Sequence, residues 1–272
     1  MRLRVRAPAT TANLGPGFDV AAAALELWNE VEVTDARTAA AAPDHLAVRA
    51  FNRVAPATGL SFSFTDRIPR ERGLGSSAAT VALGLVAGAL VAGGEAEPEE
   101  LLRLGVDLEG HPDNLAAALA GGVCLTWDGR IVRVADSTPA QPIALVPDER
   151  VATSGARAEL PPELPHVDAA YSVARATLLG AALAQGSAEL FGAALDDRLH
   201  EPYRASKTPL LAAVRSDLPD GVLGATISGS GPTVIVWARQ DDVQACVAQL
   251  RDRFTDVEVL PLTVAGGGAA AF

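Results

Sequence analysis

Arg67-Ile-Pro-Arg-Glu-Arg-Gly-Leu-Gly-Ser-Ser-Ala-Ala-Thr80 joins a glycine-bearing loop to a long run of small apolar residues. Gly73 and Gly75 admit positive φ and leave room for an anion against the main chain. The first helical turn from Ser76 onward offers unpaired N–H groups and the positive end of the helix dipole. Ser76 and Ser77 add hydroxyls that reach phosphate oxygens or a cation. The stretch reads as a nucleotide phosphate site. The same residues also suit a tight turn before a buried helix, so other segments must decide. Two common phosphate loops are excluded. A Walker loop needs a lysine after its second glycine, and the only lysine is Lys207. The dinucleotide fingerprint needs a third glycine where this chain has Ala78.

The 272 residues suffice for two modest domains. The formal charge of −11 argues against DNA or RNA as partners, because binding them needs a dense basic surface. Any anion must be held by local geometry. The helix expected from Ser76 to Gly93 is apolar nearly all round but short for a bilayer, so it reads as buried against a sheet, not as a membrane span. Cys124 and Cys246 lack a C-x-x-C spacing and read as buried free thiols of a reducing cytoplasm. Met1-Arg-Leu-Arg-Val-Arg6 alternates like a half-exposed strand and has no apolar signal region.

Apolar periodicity predicts strands at Leu3 to Ala7, Leu25 to Val33 and Ser61 to Thr65, and a helix at His45 to Ala57. Helices are expected at Glu99 to Gly105 and Pro112 to Ala120, the second closed by Gly121-Gly122. Val123 to Trp127 and Ile131 to Val134 form a hairpin about Asp128-Gly129. The proline-bearing stretch Asp136 to Pro142 divides the chain into expected domains 1–138 and 139–272. In the second half, strands are expected at Ile143 to Pro147, Gly224 to Ile227, Thr233 to Ala238 and Val257 to Thr263. Helices are expected at His166 to Ala184, Glu189 to Leu199, Pro209 to Ser216 and Asp241 to Arg253. The closing order of strand, strand, helix, strand is that of half a split α/β sandwich. The glycine- and alanine-rich tail from Ala265 to Phe272 is expected to be mobile.

Two further segments stand out. Pro8-Ala-Thr-Thr-Ala-Asn-Leu-Gly-Pro-Gly-Phe-Asp19 leaves the first strand, and Ser228-Gly-Ser-Gly-Pro-Thr233 joins two strands near the end. With the glycine-serine loop, in this order, they resemble the three-motif signature of the GHMP small-molecule kinases. Ala12 to Asp19 and Glu109-Gly-His-Pro-Asp-Asn114 are similar to the homoserine kinase branch. The resemblance runs over nearly the whole chain. It implies an α+β, two-domain fold, with an N-terminal ribosomal-S5-like α/β domain and a C-terminal ferredoxin-like split α/β sandwich.

The resemblance implies ATP phosphates over Arg72, Gly73, Leu74, Gly75, Ser76, Ser77 and Ala78, and Mg2+ held by Ser77 and Glu109. Magnesium takes few protein oxygens and keeps water and phosphate for the rest. It implies L-homoserine as the small-molecule substrate, with Asn13 and Asp19 near its ammonium and Arg157 and Arg204 on its carboxylate. An arginine fork matches two carboxylate oxygens. The resemblance also implies Asn114 facing the substrate hydroxyl, with His111 as either a proton carrier or a local hydrogen-bonding residue. Asn114 cannot take a proton near neutrality, so the resemblance implies catalysis by Asn114, Glu109 and Ser77 through alignment and charge neutralisation. The product would be O-phosphohomoserine for threonine synthesis. Members of the superfamily are often dimers, and a homodimer is compatible with this reading.

Three departures stand beside these matches. Val20-Ala-Ala-Ala-Ala24 replaces a Leu-Gly-Leu-Ala run, the asparagine near the adenine is replaced in the region of His45, and the chain is short for the family. Another kinase of the superfamily, such as a mevalonate-type enzyme, and a non-catalytic ligand sensor are the alternatives. Retention of Ser77 and Glu109 favours an enzyme.

Overall fold

The computed structural model describes residues 1–35, 44–149 and 160–272. β1 (Arg2–Asn13) and β2 (Gly17–Asp35) form a long antiparallel pair with register shifts at Pro8/Ala9 and Ala12/Asn13. Both strands extend well past the alternating segments. From Ala7 to Asn13 every residue is buried, because the small Ala and Thr side chains let the strand run between layers. Alternation is lost where both faces are covered. β3 (Leu60–Thr65) pairs with the second half of β2, and β4 (Val123–Trp127) with Ala21 to Ala23. β4 turns into β5 (Arg130–Ala135) through Asp128 and Gly129, at φ 46° and 73°, as an Asp-Gly primed turn requires.

Four helices cover this sheet: α1 (Leu46–Phe51), α2 (Ser76–Val91), α3 (Pro98–Glu109) and α4 (Asp113–Ala120). α2 is apolar all round because it is packed all round, by the sheet and by α1, α3 and α4. Its Gly84 lets α1 approach closely, since a Cβ there would sit 2.1 Å from the Ala47 carbonyl oxygen. Among the described residues no helix is long and apolar enough to cross a membrane.

The second sheet contains β6 (Gln141–Pro147), β7 (Val222–Ile227), β8 (Val234–Ala238) and β9 (Val257–Pro261), in the spatial order β7-β8-β6-β9 and antiparallel throughout. This is the ferredoxin-like arrangement, and the chain has the two-domain α+β fold the sequence leads one to expect. Helices α5 (His166–Gln185), α6 (Ala188–Ala194), α7 (Glu201–Arg204), α8 (Pro209–Arg215) and α9 (Val243–Arg253) complete it. Period-two alternation divides its strands between two cores. Ile143, Leu145, Val234 and Val236 pack with α8 and α9. Ala144, Val146, Ile235 and Trp237 join Leu179, Leu183 and Phe191 in the core that also holds α2 and α4.

Two expectations are corrected. The helix expected to reach Leu199 ends at Ala194. Asp197 takes the following amides instead, accepting from Leu199 N at 2.9 Å, His200 N at 2.8 Å and Glu201 N at 3.0 Å. A side chain that satisfies three amides competes with helix continuation. The tail is also tied down. Ala269 N donates to Ala118 O at 2.7 Å, β10 (Ala270–Ala271) pairs with Val5 and Arg6, and the Phe272 ring lies under Arg4.

Candidate active site

The glycine-serine loop forms one wall of an open cleft. Gly75 precedes α2 in the left-handed conformation, at φ 65°, and Gly73 has φ 83°. Neither position has room for a side chain. A Cβ on Gly73 would lie 2.4 Å from Ser228 O, and one on Gly75 only 1.8 Å from Thr10 Oγ1. The first intrahelical bond is Ala79 N to Gly75 O, so the amides of Ser76, Ser77 and Ala78 precede the ladder. These amides and the dipole make the helix end suited to anions.

The motif that ends β1 bends through Asn13, Leu14 and Gly15 at φ 75°, 45° and 82°, with Asp19 at 58°. The loop from Ser228 to Thr233 locks this bend to the phosphate loop. Ser228 Oγ reaches Thr11 Oγ1 at 2.9 Å and donates to Gly73 O at 2.6 Å, and Thr233 N donates to Arg72 O at 3.2 Å. Asn13 is committed at both ends, accepting from Asp19 N at 3.2 Å and donating to Gly229 O at 2.9 Å. Its amide shapes the site rather than reaching freely into it.

Next to this loop, α3 ends in Glu109 and α4 begins at Asp113. Burial lifts the Glu109 carboxyl to about 7; the Ser77 hydroxyl and His111 draw it down, and Asp113 pushes it up. Its Oε2 is buried with no protein partner, the condition of an acceptor awaiting a donor or a cation. Burial lowers the His111 pKa, yet the net shift is upward, because Asp113 accepts from Nδ1 at 3.1 Å and three carboxylates face the ring. Asp113 also accepts from Asn114 N at 2.7 Å. The His111 ring is thus already held by Asp113. Among the described residues no group of three or more His, Cys, Asp or Glu side chains gathers as a metal site. A hard cation here would have Glu109 and Ser77 as protein donors, enough for an ion that retains water and phosphate.

Arg204 enters from α7 and lines the same cleft. Its Nη1 donates to Gly229 O at 2.9 Å and meets His200 Nδ1 at 3.2 Å, while His200 Nε2 contacts Gly15 O at 2.8 Å. The cleft therefore gathers Asn13, Asp19, Gly73, Gly75, Ser76, Ser77, Glu109, His111, Asn114 and Arg204. The side chains of Leu74 and Ala78 are fully buried in the core, so these residues can offer only backbone groups. The Arg72 guanidinium turns away to the Pro147 carbonyl. Arg157 lies outside the described residues. Phe18, Glu71, Asp113, Gly229 and Ser230 also line the cleft without having been singled out as site residues. All five lie within the quoted stretches, and Glu71 takes φ 58° ahead of the glycine-serine loop.

His45 has a structural use. Its Nδ1 accepts from Ala47 N to cap α1, and its ring stacks on Phe64 at 3.9 Å.

The cleft sets a helix N-terminus against polar side chains drawn from both halves of the chain, and the family models give the class as a small-molecule kinase. The family model for the GHMP kinases N terminal domain matches residues 45–122, and that for the GHMP kinases C terminal matches residues 179–256. The homoserine kinase of Streptomyces coelicolor is 41% identical over 264 residues, covering 88% of this chain and 85% of that protein. The homoserine kinase of a Synechococcus species is 38% identical over 270 residues, covering 90% and 88%. The crystal structure of a homoserine kinase from Cytophaga hutchinsonii superposes with a TM-score of 0.86 at 27% identity, covering 100% of this chain and 97% of that one. The chain belongs to the homoserine kinase family of the GHMP kinases.

Proposed function

We propose that the protein transfers the γ-phosphoryl group of ATP to the side-chain hydroxyl of L-homoserine, giving O-phospho-L-homoserine and ADP for threonine synthesis in the cytoplasm. Family membership supports the reaction. The observation that carries the site is a single cleft holding Ser77 and Glu109 together with Asn114, Asp19 and Arg204. In this reading the amides of residues 75 to 78 take the phosphates. Ser77 and Glu109 hold Mg2+, whose charge, when bound, offsets that of the triphosphate. The unpartnered buried oxygen of Glu109 supports this placement. Asp19 takes the substrate ammonium, and Arg204, with Arg157, takes the carboxylate.

Chemistry then rests on alignment. The alcohol oxygen bonds to the γ-phosphorus as the bond to ADP breaks, and the alcohol proton passes to a phosphoryl oxygen. Asn114 cannot serve as base, and none is needed where a phosphoryl oxygen takes the proton. A mevalonate-type reading suits Arg204 equally, but the relatives at 41% and 38% identity are homoserine kinases. Measuring ADP release at saturating Mg·ATP with L-homoserine, mevalonate, galactose and L-threonine tests the proposal. Homoserine is expected to lead in kcat/KM by roughly a hundredfold or more, since a polar site rejects analogues that leave its groups unpaired. Turnover of homoserine no faster than of the other alcohols would defeat it.

A further inference from the structure

Thr10 is fully buried and does not line the cleft, yet it sits between the two groups that must meet there. Its backbone N donates to Leu74 O at 3.1 Å, fixing it to the phosphate loop. Its hydroxyl donates to Asn114 Oδ1 at 2.6 Å, a short bond wholly inside the protein. The loop packs directly on that bond. A Cβ on Gly75 would lie 1.8 Å from Thr10 Oγ1 and 3.1 Å from Asn114 Oδ1. Asn114 itself is buried at the start of α4, with its Nδ2 on the side of Gly229, which also lines the cleft.

An amide has one oxygen end and one nitrogen end, so occupying the first decides what the second can do. We propose that Thr10 is a positioning residue: by holding Oδ1 it turns the Asn114 N–H groups into the cleft, as donors to the oxygen under transfer. The inference rests on the phosphoryl-transfer reading and specifies how Asn114 acts within it. As the alcohol oxygen bonds to γ-phosphorus and the bond to ADP breaks, Asn114 donates a hydrogen bond and neither gains nor loses a proton. The alcohol proton leaves to a phosphoryl oxygen. Preorganised donors of this kind act on the transition state and show in kcat more than in KM. A purely structural Thr10 would tolerate valine, which has nearly the same shape.

The test is a double-mutant cycle in the intact protein with Thr10→Val, Thr10→Ser, Asn114→Ala and the Thr10→Val/Asn114→Ala pair, reading kcat, both KM values and Tm. Thr10→Val is expected to lower kcat by about 10- to 100-fold, with both KM values within about threefold. Thr10→Ser, which keeps the hydroxyl, should stay near wild type. In the Asn114→Ala background, Thr10→Val should change kcat by less than about twofold, because the group it orients is gone. Wild-type kcat in Thr10→Val, or the same loss with and without Asn114, would overturn the proposal. If the valine variant unfolds, Thr10→Cys carries the same test, since a thiol keeps the volume and only a weak donor. Failure of the substrate reading is separate: it would appear in the wild-type protein, and the cycle would then be run with whichever alcohol is phosphorylated.

Discussion

Glu109 is the residue at which stability and the proposed catalysis oppose each other. In the folded chain its carboxyl titrates at about 7, against 4.5 for the ordinary group, chiefly because it is buried. A raised folded pKa means that between these values the folded chain holds a proton the unfolded chain has lost. The stabilising contribution is complete below 4.5 and disappears as the pH rises through 7. Above that, the ligand-free protein carries a buried charge that costs on the order of 3 kcal/mol. Glu109→Gln removes the titration. Its Tm advantage over the parent should be near zero at pH 4.5 and grow to a plateau above pH 7, while Mg-dependent turnover falls roughly a hundredfold. A Tm difference that stays flat across this range would show that the carboxyl is not held against its charge. Residue types at this scale were legible from the motifs, which single out Ser77, Glu109, His111 and Asn114. Their hydrogen-bonding ends were not. Asn13 binds Asp19 N and Gly229 O, and nothing in a linear motif tells which end of an amide is already spent.

At the scale of elements, the C-terminal tail supports the helix that carries Asn114. Gly122 N donates to Ala265 O, Ala265 N to Ala24 O, and Ala269 N to Ala118 O, so the tail closes over the end of α4 and the start of β4. Gly268 permits this approach, because a Cβ there would fall 2.0 Å from Leu119 O. Gly268→Ala should therefore cost roughly 2 kcal/mol or more in chemical denaturation, as overpacking against backbone has no soft direction in which to relax. Unchanged stability would mean that the tail is not packed as described. Composition could not reveal this, since Gly-Ala runs are as suited to close backbone packing as to freedom. The same limit shortened β1 and β2 in the sequence reading: alternation marks a strand only while one face meets solvent, and the stretch from Ala7 to Asn13 has none exposed. The β4–β5 hairpin and α2 were legible because a turn dipeptide and a continuous apolar run are local signals.

Across the whole molecule, order along the chain was enough to suggest the split sandwich, but not how its sheet joins the first. Trp237 and Ile235 share a core with α2 and α4, and Ser228 spans from Thr11 to Gly73. Such contacts join residues from opposite ends of the chain and leave no periodic trace. They bring the phosphate loop, the bend at Asn13 and Arg204 to one cleft, on which the proposed reaction depends. A crystal structure with a non-hydrolysable ATP analogue, Mg2+ and L-homoserine tests this most directly. The terminal phosphates are expected on the amides at residues 75 to 78, and the homoserine hydroxyl between the γ-phosphorus and Asn114. A nucleotide seated away from an empty glycine-serine loop would contradict it.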